Sequence, residues 1–180
     1  MNKFDLKKTS LIENVAKYIL ENGIKNASLR NIAEAVSISN RMLLHYFKDK
    51  EEMMTVTLIL ITNNFIEILE NARSEKMSFS SLMPYLYQAL KIPEIKPYIR
   101  LCLELIYFSA DKEEPYYSIA RKIGDSFYNW IEKAIIIEKD DVKDEKLALA
   151  LVIIEGFVIL NALDYDDRIE NAMRKIIREF

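Results

Sequence analysis

Apolar residues recur at helical spacing along almost the whole chain. Leu11, Ile12, Val15, Ile19 and Leu20 form one stripe, and Asn22-Gly23 supplies the left-handed residue on which such a helix ends. A first helix is therefore predicted from about Asp5 to Asn22. Ser28 stands where an N-cap belongs, followed by Leu29, Ile32, Ala33 and Val36 on one helical face, which gives a second helix of about two turns. Ser37-Ile38-Ser39 interrupts it, and Ser39 can cap a third helix over Asn40 to Tyr46. Asp49 and Glu52, three residues apart, read as a capping box that opens a long helix through Met53 to Ile61 and on to about Ser74. Two short helices split by a three-residue turn and braced on either side predict a helix-turn-helix arrangement.

Further along, all four prolines fall between Pro84 and Pro115, so short helices and corners are expected there. Two long helices are predicted after them, about Tyr116 to Ile137 and Val142 to Leu163, and a last one from about Asp166 to the end. The polar stretch Glu138 to Lys146 between the long helices reads as a solvated turn and helix start. β-Branched residues sit inside these helical patterns instead of in alternating runs bounded by glycine turns, so the predicted class is all-α, with about nine helices. The expected division is a helix-turn-helix DNA-binding domain over 1–48 and a helical ligand-binding and dimerisation domain over 49–180.

Composition narrows the chemistry. Three isolated glycines, Gly23, Gly124 and Gly156, exclude phosphate-cradling loops, which need several close together. One cysteine and one histidine cannot build a disulfide framework, a CxxC site or a His-rich metal site, and Cys102 in an apolar helix reads as a buried thiol. No catalytic, metal or cofactor site is predicted. A di-iron bundle would need paired Glu-x-x-His motifs, and a Ser-His-Asp hydrolase would need its histidine outside the third helix. The start of the chain carries charges where a signal peptide needs an apolar run, which predicts a cytoplasmic protein. Leu147 to Leu163 is about as long as a short membrane span, but Glu155 and Asn161 would be costly in lipid, so no membrane partner is expected. Residues 1–50 hold nine Lys or Arg against five Asp or Glu, a charge of +4, and the remainder carries −7. A basic head on an acidic body directs the head toward nucleic acid.

Ala33 to Met53 reads A-E-A-V-S-I-S-N-R-M-L-L-H-Y-F-K-D-K-E-E-M. This resembles the DNA-binding signature of the TetR family of ligand-controlled repressors, over roughly residues 5 to 55. Further on, A-L-A-L-V-I-I-E-G-F from Ala148 to Phe157 looks like that family's dimerisation helix. Three residues depart from the pattern: Ser37 replaces the turn glycine, Arg41 a small residue early in the recognition helix, and Leu44 the first tyrosine of Y-x-Y-F. Ser37 fits only if the turn avoids positive φ or accepts strain. Leu44 removes an expected phosphate contact, and Arg41 adds a side chain able to fork onto guanine.

Ile38, Leu43 and Phe47 are placed to pin the third helix inward, leaving Asn40, Arg41, Leu44 and His45 outward with Met42 at the edge. Asn40 and Arg41 suit adenine and guanine edges, while Met42 or Leu44 suits a thymine methyl, although Met42 reads first as packing. Ser28, Ser39, Lys48 and Lys50 suit phosphates. The resemblance implies DNA-backbone roles for Ser28, His45 and Lys50; a surface histidine with an ordinary hydrogen bond is the other reading of His45.

A head of this size reads few base pairs, so two heads at a fixed separation are expected, hence a homodimer on a palindromic double-stranded operator. The helix over Leu147 to Leu163 is apolar on more than one face. Leu149, Val152, Ile153, Gly156, Phe157 and Leu160, with Met173 and Ile177 of the last helix, are the expected interface. The resemblance also implies a small-molecule effector held in the body. Its candidate lining is Met83, Tyr85, Tyr98, Tyr107 and Phe108, then Phe127 and Trp130, with Glu104 and Asn129 as polar anchors. A buried, unpaired Glu104 would favour a cationic ligand. The rival reading is a helical relative that has lost specific DNA reading and acts as an adaptor or ligand-binding module.

Overall fold

The computed structural model describes residues 3–73, 75–139 and 141–180. Among them the chain forms nine α-helices: α1 (Lys3–Asn22), α2 (Leu29–Ala35), α3 (Asn40–Tyr46), α4 (Lys50–Asn71), α5 (Phe79–Leu90), α6 (Lys96–Ser109), α7 (Tyr116–Ala134), α8 (Lys143–Ala162) and α9 (Asp166–Glu179). The all-α class expected from the periodicity is the class found. Ser74, the predicted limit of the fourth helix, and Asp140, within the polar stretch, lie outside the described residues, as do Met1 and Asn2 of the charged start.

The helix starts follow from their caps. Ser28 Oγ accepts the Asn31 N–H at 3.1 Å, and Ser39 Oγ accepts the Met42 N–H at 3.1 Å, each satisfying a donor that a helix start leaves orphaned. Asp49 accepts the Glu52 N–H at 2.8 Å, as in a capping box. The return bond differs: Glu52 accepts the Lys48 N–H at 2.6 Å while its other oxygen takes Lys8 Nζ at 2.8 Å. Lys8 and then the Lys48 amide hold the Glu52 carboxyl below its ordinary pKa.

Corners fall where expected at Pro93 and Pro115, in the connections on either side of α6, but the expectation is corrected at Pro84. Pro84 lies inside α5, and Pro97 is the second residue of α6. A first-turn proline forfeits no intrahelical hydrogen bond, because that N–H has no partner there anyway. Pro84 sits beyond the first turn, where the buried Phe79, Leu82, Met83, Leu86 and Tyr87 hold α5 together by packing. After α7, Ile135 forms a parallel bridge with Met77 and shortens the helix predicted to reach Ile137.

The chain divides into two compact units. One gathers the chain as far as Phe65 together with Arg100–Ile123; the other holds Ile66–Ile99 and Gly124–Phe180. In the first, α1, α2 and α3 enclose Val15, Ile19, Ile32, Leu43 and Phe47 with Met53 and Met54 of α4, all close to fully buried. In the second, α5, α8 and α9 pack against one another around Leu82, Leu147, Phe157, Ile169 and Met173. Burying such a side chain contributes about 1.5 to 3 kcal/mol, so each unit has an apolar core of its own. Among the described residues one helix, α4, is long and apolar enough to cross a membrane, in place of the 147–163 stretch; Met53, Met54, Leu58, Ile61 and Leu69 make it a core helix.

Candidate nucleic-acid interface

The helix-turn-helix is α2, the turn 36–39 and α3. Ser37 in the turn has φ +57°, the left-handed region that costs an L-residue about 1 to 2 kcal/mol. The turn therefore keeps the backbone that glycine would adopt freely and accepts strain at serine. Its closure comes from Ser37 N–H to Glu34 O at 3.1 Å and Ile38 N–H to Ala33 O at 2.9 Å.

With the turn set, α3 divides by face. Leu43 and Phe47 are buried and Ile38 is half-buried, as the inward pattern required. Ser28, Ser39, Asn40, Arg41, Met42, Leu44, His45, Lys48 and Lys50 are all exposed. Both cap serines spend an acceptor on a backbone amide and retain a hydroxyl hydrogen for a phosphate oxygen. The outward face thus combines amide, guanidinium and imidazole donors with the apolar Met42 and Leu44.

Two groups of residues escape a reading of the sequence. The first is aromatic: the Phe4 ring lies 5.0 Å from the Tyr46 ring with planes 27° apart, and 5.7 Å from His45 edge-on. Nothing in a sequence separation of about forty residues signals that contact. The second is a polar clamp on the end of α1. Glu104 accepts the Ile24 N–H at 2.6 Å, Arg100 donates to the Leu20 carbonyl, and the two side chains pair at 3.9 Å. Gly23 has φ +81°, and a Cβ there would collide with the Glu104 carboxylate. The i, i+4 spacing of Arg100 and Glu104 was the available signal. Glu104 is thereby occupied, so the condition that favoured a cationic ligand is not met.

The other candidate effector residues fall in both units. Glu104, Tyr107 and Phe108 belong to the first, where Tyr107 is 75% exposed and Phe108 packs on Tyr116 with ring centroids 5.3 Å apart. Met83, Tyr85, Tyr98, Phe127, Asn129 and Trp130 belong to the second. There Met83 and Trp130 are buried, Tyr85, Tyr98 and Phe127 half-buried, and Asn129 exposed. Burial pushes the Tyr85 and Tyr98 phenols above their ordinary pKa. The Tyr85 hydroxyl donates to Leu69 O at 2.9 Å, and the Arg73 guanidinium lies over the Trp130 ring at 5.7 Å. The second unit carries an open groove of about 580 Å³ lined by Arg73, Lys76, Met77, Ser81, Tyr85 and Ile136 among others. Tyr85 is its one residue from the candidate set.

On α8 the expected interface residues separate by side. Phe157, with Met173 of α9, faces the chain's own core; Ile153, Gly156 and Leu160 are intermediate; Leu149, Val152 and Ile177 are exposed. Ile159 and Leu163 extend the exposed α8 stripe, and open space stands over Gly156.

Comparison with known proteins agrees with this geometry. Residues 11–55 match the family described as bacterial regulatory proteins, tetR family. No curated protein matches the chain. Among solved structures, the transcriptional regulator FadR from Bacillus subtilis in complex with stearoyl-CoA is similar, with TM-score 0.60 and 17% sequence identity. The match covers 94% of this chain and 95% of that one, so the likeness of fold extends through both units.

Proposed function

We propose that this chain, a tetR-family regulator by its head of residues 11–55, is a repressor that binds a palindromic operator as a homodimer and leaves it on binding a small molecule. The observation that carries the reading is the division of α3: Leu43 and Phe47 buried, Asn40, Arg41, Leu44 and His45 outward, on a helix capped and entered as a recognition helix requires. Asn40 and Arg41 read base edges. Ser28, Ser39, His45, Lys48 and Lys50 fix the head on phosphates, and Met42 and Leu44 supply apolar contact. Residues 1–48 carry recognition, and 49–180 carry effector binding and pairing.

Pairing is supported by the stripe on α8, Leu149, Val152, Ile159 and Leu163, whose exposure in a lone subunit leaves apolar surface in water. A second copy related by a two-fold axis covers it and sets the separation of the heads. Effector control is supported by the fold shared with a regulator solved with stearoyl-CoA bound. A ligand that binds the DNA-incompetent conformation better than the competent one shifts the population off the operator.

A duplex from the region upstream of the coding sequence tests this directly. Binding should be preferred over random duplex and fall steeply as salt rises. Equal affinity for random duplex would remove operator recognition and leave the adaptor reading.

A further inference from the structure

His45 is the one histidine in the sequence, and among the described residues no hydrogen bond orients its ring. What surrounds it is aromatic. Phe4, in the first turn of α1, meets His45 at 5.7 Å with the planes 87° apart. It also stacks on Tyr46 at 5.0 Å with the planes 27° apart. His45 and Tyr46 meet each other at 5.4 Å and 73°. All three centroid separations lie in the range of attractive ring pairs, and edge-on approach places the positive rim of one ring on the negative face of the next.

Phe4 is 40% exposed, so core burial does not account for its place. Its ring instead lies edge-on to the imidazole at 5.7 Å and stacks on Tyr46, so one side of the exposed His45 ring faces an aromatic wall. An exposed histidine without such a wall samples several rotamers and loses that freedom when it binds. With the wall, the cost is met before DNA arrives.

We propose that Phe4 is a positioning residue for DNA recognition: its ring, anchored on Tyr46, holds the His45 imidazole in the orientation in which it meets the DNA backbone. The first turn of α1 is on this account part of the reading unit. The inference rests on α3 being the DNA-contacting helix.

The test uses the full chain, a fluorescein-labelled duplex from its own upstream region, and anisotropy at several salt concentrations. Phe4→Ala should weaken binding about three- to tenfold, the scale of one lost aromatic pair, with melting unchanged within a few degrees. Phe4→Tyr, which keeps the ring, should restore binding to within about twofold of the parent. In a His45→Ala background, Phe4→Ala should cost less than about twofold, because a residue acting through another has nothing left to position. The salt slope should be the same in Phe4→Ala and parent, since no cation is removed. The single histidine also gives one set of imidazole C–H resonances in the free protein, and these should move in Phe4→Ala and stay near their parent positions in Phe4→Tyr.

Parent-like binding by Phe4→Ala would overturn the proposal, as would losses from Phe4→Ala and His45→Ala that multiply in the double variant. A reduced salt slope would assign the loss to the nearby lysines Lys3 and Lys7 and overturn it too. Parent protein without preference for the duplex removes operator reading and the Phe4 role together. Parent binding with an indifferent Phe4→Ala removes the Phe4 role alone.

Discussion

Two helices present exposed faces of different chemistry, mixed polar and apolar on α3 and an apolar stripe on α8. On α3 the outward residues include Asn40, Arg41 and His45, which water solvates well, so the free protein bears little cost in showing them. On α8 and its C-cap they include the apolar Leu149, Val152, Ile159 and Leu163, with Val152 69% and Leu163 59% exposed. The inward faces, by contrast, are alike: Leu43 and Phe47 under α3, Leu147, Ala150, Phe157 and Val158 under α8. Burial alone therefore says little about what either helix does. The outward face separates them: in the proposed reading, the α3 face meets DNA and the α8 face is covered by a second copy.

The largest expected effect breaks the α8 side of that contrast. Val152→Glu places a charge in the apolar stripe, and sedimentation at micromolar concentration should show monomer with a folded helical spectrum. Operator affinity should fall by about a hundredfold or more, because one head retains only its own half-site contacts. A dimer that survives the substitution would locate pairing elsewhere.

On the α3 side, the frame comes first. Gly23→Ala sets a side chain at φ +81° against the Glu104 carboxylate, and chemical denaturation should show a loss of about 2 to 3 kcal/mol. A loss below about 0.5 kcal/mol would mean the Arg100 and Glu104 clamp yields freely. The next effect is on reading itself. Arg41→Ala should cost roughly 1 to 3 kcal/mol of binding and relax preference at one base position, with stability unchanged. Selection from a randomised duplex pool checks this, and an unaltered preference would assign Arg41 to the solvated surface. The smallest effect sharpens the turn. Ser37→Gly relieves the strain at φ +57° and should raise stability by about 1 kcal/mol, seen as a melting temperature a few degrees higher. A decrease would show that the serine side chain contributes more than its backbone costs.

The three-helix head was largely legible because its signals are local. Ser28, Ser39 and Asp49 cap helices whose apolar positions lie within the next two turns, and their hydrogen bonds span three residues. The body was less legible for the same reason. Pro84 looked like a breaker, yet α5 continues through it because buried side chains from Phe79 to Leu90 outweigh one missing backbone hydrogen bond. Most candidate effector residues are aromatic, and aromatic type does not separate Tyr107 in solvent from Trp130 in the core. The bond from the Ile24 amide to Glu104 has no signature in the sequence, because its partners lie eighty residues apart.

Helix order, caps, the helix-turn-helix spacing and the +4 head on a −7 body follow from the chain alone, since each depends on neighbours within a few turns or on simple counting. Tertiary structure decided the rest. It seated Glu104 and Arg100 on the end of α1, built the Phe4, His45 and Tyr46 cluster, and turned Phe157 inward while leaving Val152 out. The physical reason is range: propensity and capping act over one or two helical turns, whereas a ring contact or a carboxylate seated on a remote backbone amide exists only once distant segments have been brought together.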